Sequence, residues 1–88
     1  MFLHLGQYTV VKTDDIIGIF DLDNTTVSKN TRNFLTNAEK SGKVTNVSFE
    51  LPKSFVVCKN NKKDDQDIVY ISQLSPSTLV KRYYSDKK

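Results

Sequence analysis

Two short runs, Ile16-Ile17-Gly18-Ile19-Phe20 and Ser54-Phe55-Val56-Val57-Cys58, are apolar at successive positions rather than at alternate ones. Side chains along a strand point alternately to opposite faces, so a strand of this kind is apolar on both. The first run reads as a central strand, with Gly18 marking a bulge or the close approach of another backbone. With 88 residues the chain has room for one domain, residues 1–88, and one core. A domain of that size buries only about 60–65% of the surface its unfolded chain exposes, so oligomerisation is a natural way to add burial.

The rest of the chain supplies the partners for these strands. Phe2 to Leu5 and Thr9 to Lys12 are short extended pieces, with Gly6-Gln7 able to turn between them. Ser28 to Ser41 predicts the one substantial helix, capped by Ser28 or Asn30. Its apolar stripe holds Phe34, Leu35 and Ala38, continued backward by Thr31 and Val27. Lys40 suits the helix dipole, and Gly42 suits the left-handed residue that ends a helix. Val44 to Phe49 predicts an edge strand. Asn60 to Asp67 has no apolar residue and reads as a solvated hairpin loop leading to a partner strand, Ile68 to Ile71. Ser75 as N-cap with Pro76 at the first helical position opens a short C-terminal helix. There Leu79 and Tyr83 dock while Lys81 and Arg82 project outward, and residues 85–88 form a frayed tail. The expected fold is α+β: a mainly antiparallel sheet of about five or six strands, one packed helix and a short C-terminal helix.

The sharpest motif is Asp21-Leu22-Asp23-Asn24-Thr25, directly after an apolar strand. Haloacid-dehalogenase-type phosphatases carry Asp-x-Asp-x-Thr at such a place, where the first Asp attacks phosphorus and the second serves as acid and base beside Mg²⁺. That chemistry needs a doubly wound parallel sheet and further groups from later strands. After Phe20 this chain offers one helix and a hairpin, and Asp64-Asp65 lie in a lysine-rich loop. A polar turn is therefore the favoured reading, with a phosphatase using Asp21 and Asp23 as the enzyme alternative.

One histidine, His4, and one cysteine, Cys58, make neither a zinc site nor a catalytic triad; a half-buried His and a core Cys are expected. No internal disulfide can form, which fits a reducing compartment and a cytoplasmic protein. Neither the basic start of a secretory signal nor an apolar run of the ~20 residues that span a bilayer is present. No catalysis, cofactor, metal, membrane partner or small-molecule substrate is expected.

The formal charge of +3 tolerates an anionic partner without demanding one. Lys12, Arg32, Lys53, Lys81 and Arg82 are the candidate nucleic-acid contacts, and double-stranded DNA is the candidate ligand. Composition alone favours a solvated surface of mixed charge over a DNA patch, since 10 acidic residues are interspersed.

Taken together, several segments resemble the RemB branch of the RemA/RemB family of bacterial extracellular-matrix regulatory proteins. They are His4-Leu5-Gly6, the run from Ile19 through Asp21-Leu22-Asp23-Asn24-Thr25-Thr26 to Phe34-Leu35, Leu51-Pro52-Lys53-Ser54-Phe55-Val56-Val57, and Ser75-Pro76-Ser77-Thr78-Leu79-Val80-Lys81-Arg82. The resemblance runs over nearly the whole chain. It implies a compact α+β subunit that assembles into rings, with DNA along a basic rim in the RemA branch. Where RemA-like proteins carry DNA-contacting arginines, this chain holds Asp15 and Leu51-Pro52, which cannot contact phosphate as arginine does. Lys12 and Lys53 lie close to those positions as point charges. The expected function is a non-catalytic, oligomer-forming regulator; the alternatives are direct DNA binding and an assembly or adaptor role without DNA.

Overall fold

In the computed structural model, which describes residues 1–22, 29–60 and 66–85, the chain first reverses at Gly6-Gln7 as expected. Gly6 has φ 122° and Gln7 φ 46°, and the turn joins β1 (Phe2–Gly6) to β2 (Thr9–Lys12) in an antiparallel hairpin. A single 3₁₀ turn, Thr13–Asp15, leads into β3 (Ile16–Asp21). Helix α1 (Lys29–Lys40) is followed by β4 (Val44–Asn46), β5 (Ser54–Cys58), β6 (Ile68–Ser72) and helix α2 (Pro76–Ser85). The fold is α+β as expected. Among the described residues, six strands divide into the two-stranded hairpin and a four-stranded sheet of order β3-β5-β6-β4. The β3/β5 and β5/β6 pairs are antiparallel, and β4/β6 is parallel.

β5 separates two apolar clusters. Phe55 and Val57 point to one face, where they meet Val69 of β6 and Ala38 of α1, with Leu35 and Leu22 alongside. Val56 and Cys58 point to the other face, against Leu3, Leu5 and Val11 of the hairpin and Leu79 of α2. The protein thus has three layers, with α1 on one face of the sheet and the hairpin with α2 on the other. Leu79 is fully buried, a contribution of about 1.5–3 kcal/mol for a side chain of its size.

The structure corrects the placing of Ile16 to Phe20. It is an edge strand, and the centre belongs to β5 and β6. The reason lies in the covering layers: β5 is buried at every residue, whereas Ile17 and Phe20 are 59% and 46% exposed. The expected bulge is present, as the β3/β5 register shifts between Ile16 and Gly18. The close neighbour of Gly18 is not another backbone but the ring of Phe20, whose carbons would lie 2.6 Å from an added Cβ. His4 is also corrected: alternation buries Leu3 and Leu5 and leaves it exposed on the outer face of the hairpin.

The expected edge strand after α1 is present but shorter, and Phe49 lies beyond it in a loop. The β5/β6 hairpin forms, with residues 61–65 of its loop outside the described residues. On α1, Leu35 and Ala38 face the sheet while Phe34 is 42% exposed at the rim. Asn30 is already helical, and the Ser28 cap, Val27 and residues 86–88 of the tail fall outside the described residues. At the other end of α1 the Gly42 N–H donates to the Glu39 carbonyl and the Lys43 N–H to the Ala38 carbonyl, the paired bonds of a Schellman ending. Gly42 has φ 72° there. Ser75 caps α2 as expected, its Oγ accepting from the Thr78 N–H at 3.2 Å.

Two buried serines tie the layers together. The Ser72 hydroxyl donates to the Leu5 carbonyl of β1 at 2.6 Å and accepts from the Leu74 N–H at 3.0 Å. Ser54 donates to the Leu74 carbonyl at 2.8 Å. Replacing Ser72 by Ala leaves two backbone groups without this partner in a site with no access to water. It should lower unfolding free energy by about 1–3 kcal/mol in a urea titration. Gly42→Ala meets no neighbouring atom within 4 Å, so its cost is that of the backbone alone, about 1 kcal/mol in the same titration.

Candidate functional site

The candidate cations are distributed by the three layers rather than gathered on one. Arg32 is exposed on α1, on one face of the sheet, whereas Lys81 and Arg82 are exposed on α2 across the opposite face. Arg82 reaches the hairpin, its Nη1 donating to the His4 carbonyl at 3.4 Å. Lys53 precedes β5 at the end where Ser54 pairs with Asp21 and Ser72, with its own N–H donating to the Ser72 carbonyl. Lys12 sits at the other end, where Cys58 pairs with Ile16 and Ile68. Those ends are about 14 Å apart along β5. Among the five, only Lys81 and Arg82 are neighbours.

Lys12 does have a companion that sequence reasoning passed over. With Lys59 and Asp15 it lines a groove of about 400 Å³ between the hairpin and β5/β6, whose apolar lining includes Phe2, Val10 and Ile68. The Lys59 N–H donates to the Asp15 carbonyl at 2.7 Å, extending the β3/β5 ladder. The available signal was the symmetry of the strand, which carries Lys53 just before it and Lys59 just after. Asp15 is half-buried in the 3₁₀ turn, while Leu51 and Pro52 are exposed in the loop before β5.

A different surface stands out on the β3 edge. Ile17, Phe20 and Phe34 are all substantially exposed, and they border a groove of about 380 Å³ that Phe55 and Val57 also line. Phe20 stacks on Phe55 with ring centroids 4.9 Å apart. The apolar pattern of Ile16 to Phe20 was visible in sequence, but its exposure was not.

The Asp-x-Asp-x-Thr run begins at Asp21, the last residue of β3; Asp23 and Thr25 lie outside the described residues, as do Asp64 and Asp65. β3 is an edge strand antiparallel to its neighbour, not a strand of a doubly wound parallel sheet. Among the described residues, no three His, Cys, Asp or Glu side chains are grouped so as to hold a metal ion, and no helix is long and apolar enough to cross a membrane.

Cys58 is a buried free thiol facing the hairpin side of β5, and His4 points away from that core. Burial, then the charges of Asp15 and Asp67, push its pKa from 9.0 to about 11. The thiol is therefore protonated at neutral pH and a poor nucleophile. The unfolded chain ionises near the ordinary value and the folded chain does not, so the folded state binds more protons between these values. The contribution of Cys58 to stability should be complete below about pH 9 and fall as pH rises toward 11. Comparing urea midpoints of the protein and Cys58→Ala across pH 8–11.5 checks this: their difference should change only in the upper part of the range.

Comparison with known proteins agrees over nearly the whole chain. Residues 2–83 match the RemA-like family, described as Extracellular matrix regulatory protein A-like. The chain is also similar to Extracellular matrix regulatory protein B of Bacillus subtilis (strain 168), at 42% identity over 82 residues that cover 93% of this chain and 89% of that protein. The matched span takes in every described strand of both sheets and most of α2. The chain belongs to the RemA-like family of extracellular matrix regulatory proteins.

Proposed function

We propose that this protein is a non-catalytic, cytoplasmic regulator of extracellular-matrix production, in a biofilm setting, that works by assembling with copies of itself. The regulatory role comes from its family and from its similarity to a matrix regulatory protein. The observation that carries the assembly is the open β3 edge, where Ile17, Phe20 and Phe34 stay in water on a chain too small to cover both sides of its sheet. A buried, protonated cysteine without a disulfide partner is in keeping with a reducing compartment.

The placement of the cations favours a particular form of the DNA reading. Lys12, Arg32, Lys53, Lys81 and Arg82 occupy different faces and ends of one subunit, so these five form no continuous basic track on a single subunit. Repetition around an assembly would multiply each cation into a row, and phosphate binding by such a row would be strongly salt-dependent. In the alternative reading the assembly binds other proteins and no DNA.

Light scattering on the full chain tests the assembly: the native mass should be a multiple of 10.1 kDa. A monomer would sink the reading. A gel shift with promoter DNA across a salt series then decides between the two regulatory modes. Direct binding predicts a shift at low salt that weakens steeply as salt rises, and weakens further in Lys81→Ala/Arg82→Ala. No shift at the lowest salt removes the DNA mode and leaves the adaptor.

A further inference from the structure

Grooves of similar volume lie on the two faces of the sheet, and their charges differ. On the α1 face, the groove beside Phe20 and Phe34 has Asp67 in its lining and no base. On the hairpin face, the groove of about 400 Å³ has Lys12 and Lys59 in its lining beside Asp15. Small-molecule sites in proteins are hollows of about 300–1,000 Å³, mostly apolar, with a few polar groups that orient the ligand. The hairpin-face groove has that make-up, since Phe2, Val10, Ile68 and Tyr70 complete its lining.

The path of the chain explains why two lysines share this groove. Lys12 ends β2 on the hairpin wall, and Lys59 directly follows β5 on the sheet wall. The 3₁₀ turn after Lys12 joins the two walls, because the Lys59 N–H donates to the carbonyl of Asp15 there. Both lysines are exposed, whereas Cys58 is buried and Ile68 and Tyr70 are half-buried. The groove thus has a cationic mouth and an apolar interior. Phe2 and Val10 remain in water along its side, an apolar surface that the subunit itself leaves uncovered.

The electrostatics of the interior restrict what can occupy it. Burial, and after it the charge of neighbouring groups that include Asp15, raises the pKa of Cys58 to about 11 and that of Tyr70 above its ordinary value. Both groups stay protonated at neutral pH, and the same surroundings keep a ligand's negative charge out of the interior. At the mouth the sign reverses, and Lys12 and Lys59 repel a cationic head group. One negative charge at the mouth and an uncharged apolar body within satisfy both halves of the groove.

We infer that the groove between the hairpin and β5/β6 binds a small amphipathic anion, its one carboxylate-type charge facing Lys12 and Lys59 and its apolar body against Phe2, Val10 and Ile68. The inference goes beyond the regulatory reading and depends neither on assembly nor on DNA. Such a ligand touches the hairpin and the sheet together, so its binding also favours the folded state.

Octanoate, octylamine and octanol share one tail and differ in head group, which makes them the probes of choice. Calorimetric titration of the full chain should give saturable binding for octanoate and not for the other two, weakening as salt rises. In Lys12→Gln/Lys59→Gln the affinity for octanoate should fall about tenfold. Both side chains are exposed and the Lys59 backbone bond survives the change, so this variant should melt like the parent protein. Val10→Asp, which puts an acid beside the tail, should remove binding, whereas Phe34→Asp on the opposite face should leave it unchanged. Equal binding of the three probes, or no binding of octanoate, would overturn the inference. So would an unchanged affinity in the double lysine variant, or a loss caused by Phe34→Asp and not by Val10→Asp. None of these outcomes bears on the native mass or on the gel shift, so the regulatory reading stands or falls separately.

Discussion

The double-faced burial of β5 is the constraint on which the other elements depend. A strand with Phe55 and Val57 on one side and Val56 and Cys58 on the other cannot be stable with one face in water, so each face must recruit a layer. α1 supplies one through Ala38 and Leu35. The hairpin and α2 supply the other through Leu3, Leu5, Val11 and Leu79. The two clusters share little besides the sheet, so the buried serine bonds from Ser72 to Leu5 and from Ser54 to Leu74 hold particular value: they lock the hairpin and the approach to α2 onto the ends of β5 and β6.

Covering the central strands on both faces uses most of what 88 residues can provide, and the shortage appears at the margin. β3 contributes Ile16 and Ile19 to the hairpin side, yet its other face runs past the edge of α1, leaving Ile17 and Phe20 in water with Phe34 beside them. The incomplete layer and the exposed apolar rim are thus the same fact.

Local signals in the sequence proved more legible than global ones. Gly6-Gln7 turned, Gly42 ended α1, Gly18 marked a bulge, and Ser75-Pro76 opened α2, because each depends on backbone geometry within a few residues. Strand position within the sheet was not legible. An apolar run suits burial on both faces of a strand but does not say whether the chain will cover both: Ser54 to Cys58 is buried throughout, whereas Ile17 and Phe20 stay exposed. The arrangement of the cations was not legible for a related reason. Lys12, Arg32, Lys53, Lys81 and Arg82 are spread along the sequence, and only the layer order reveals that Arg32 and Lys81 stand on opposite faces.

The Asp21 run shows why a local match to a catalytic motif weighs so little by itself. Its first residue does end an apolar strand, as a phosphatase nucleophile would, but a strand's neighbours determine what that end can reach. In a parallel sheet the carboxyl ends of adjacent strands converge on one side, and loops from several of them can pool their groups. β3 is antiparallel to β5, so beside Asp21 lies the amino end of β5, with Ser54 and Lys53, and the carboxyl end of β5 is about 14 Å away. β3 also ends the sheet on that side, so among the described residues no further strand lies beyond it to bring other groups toward that end.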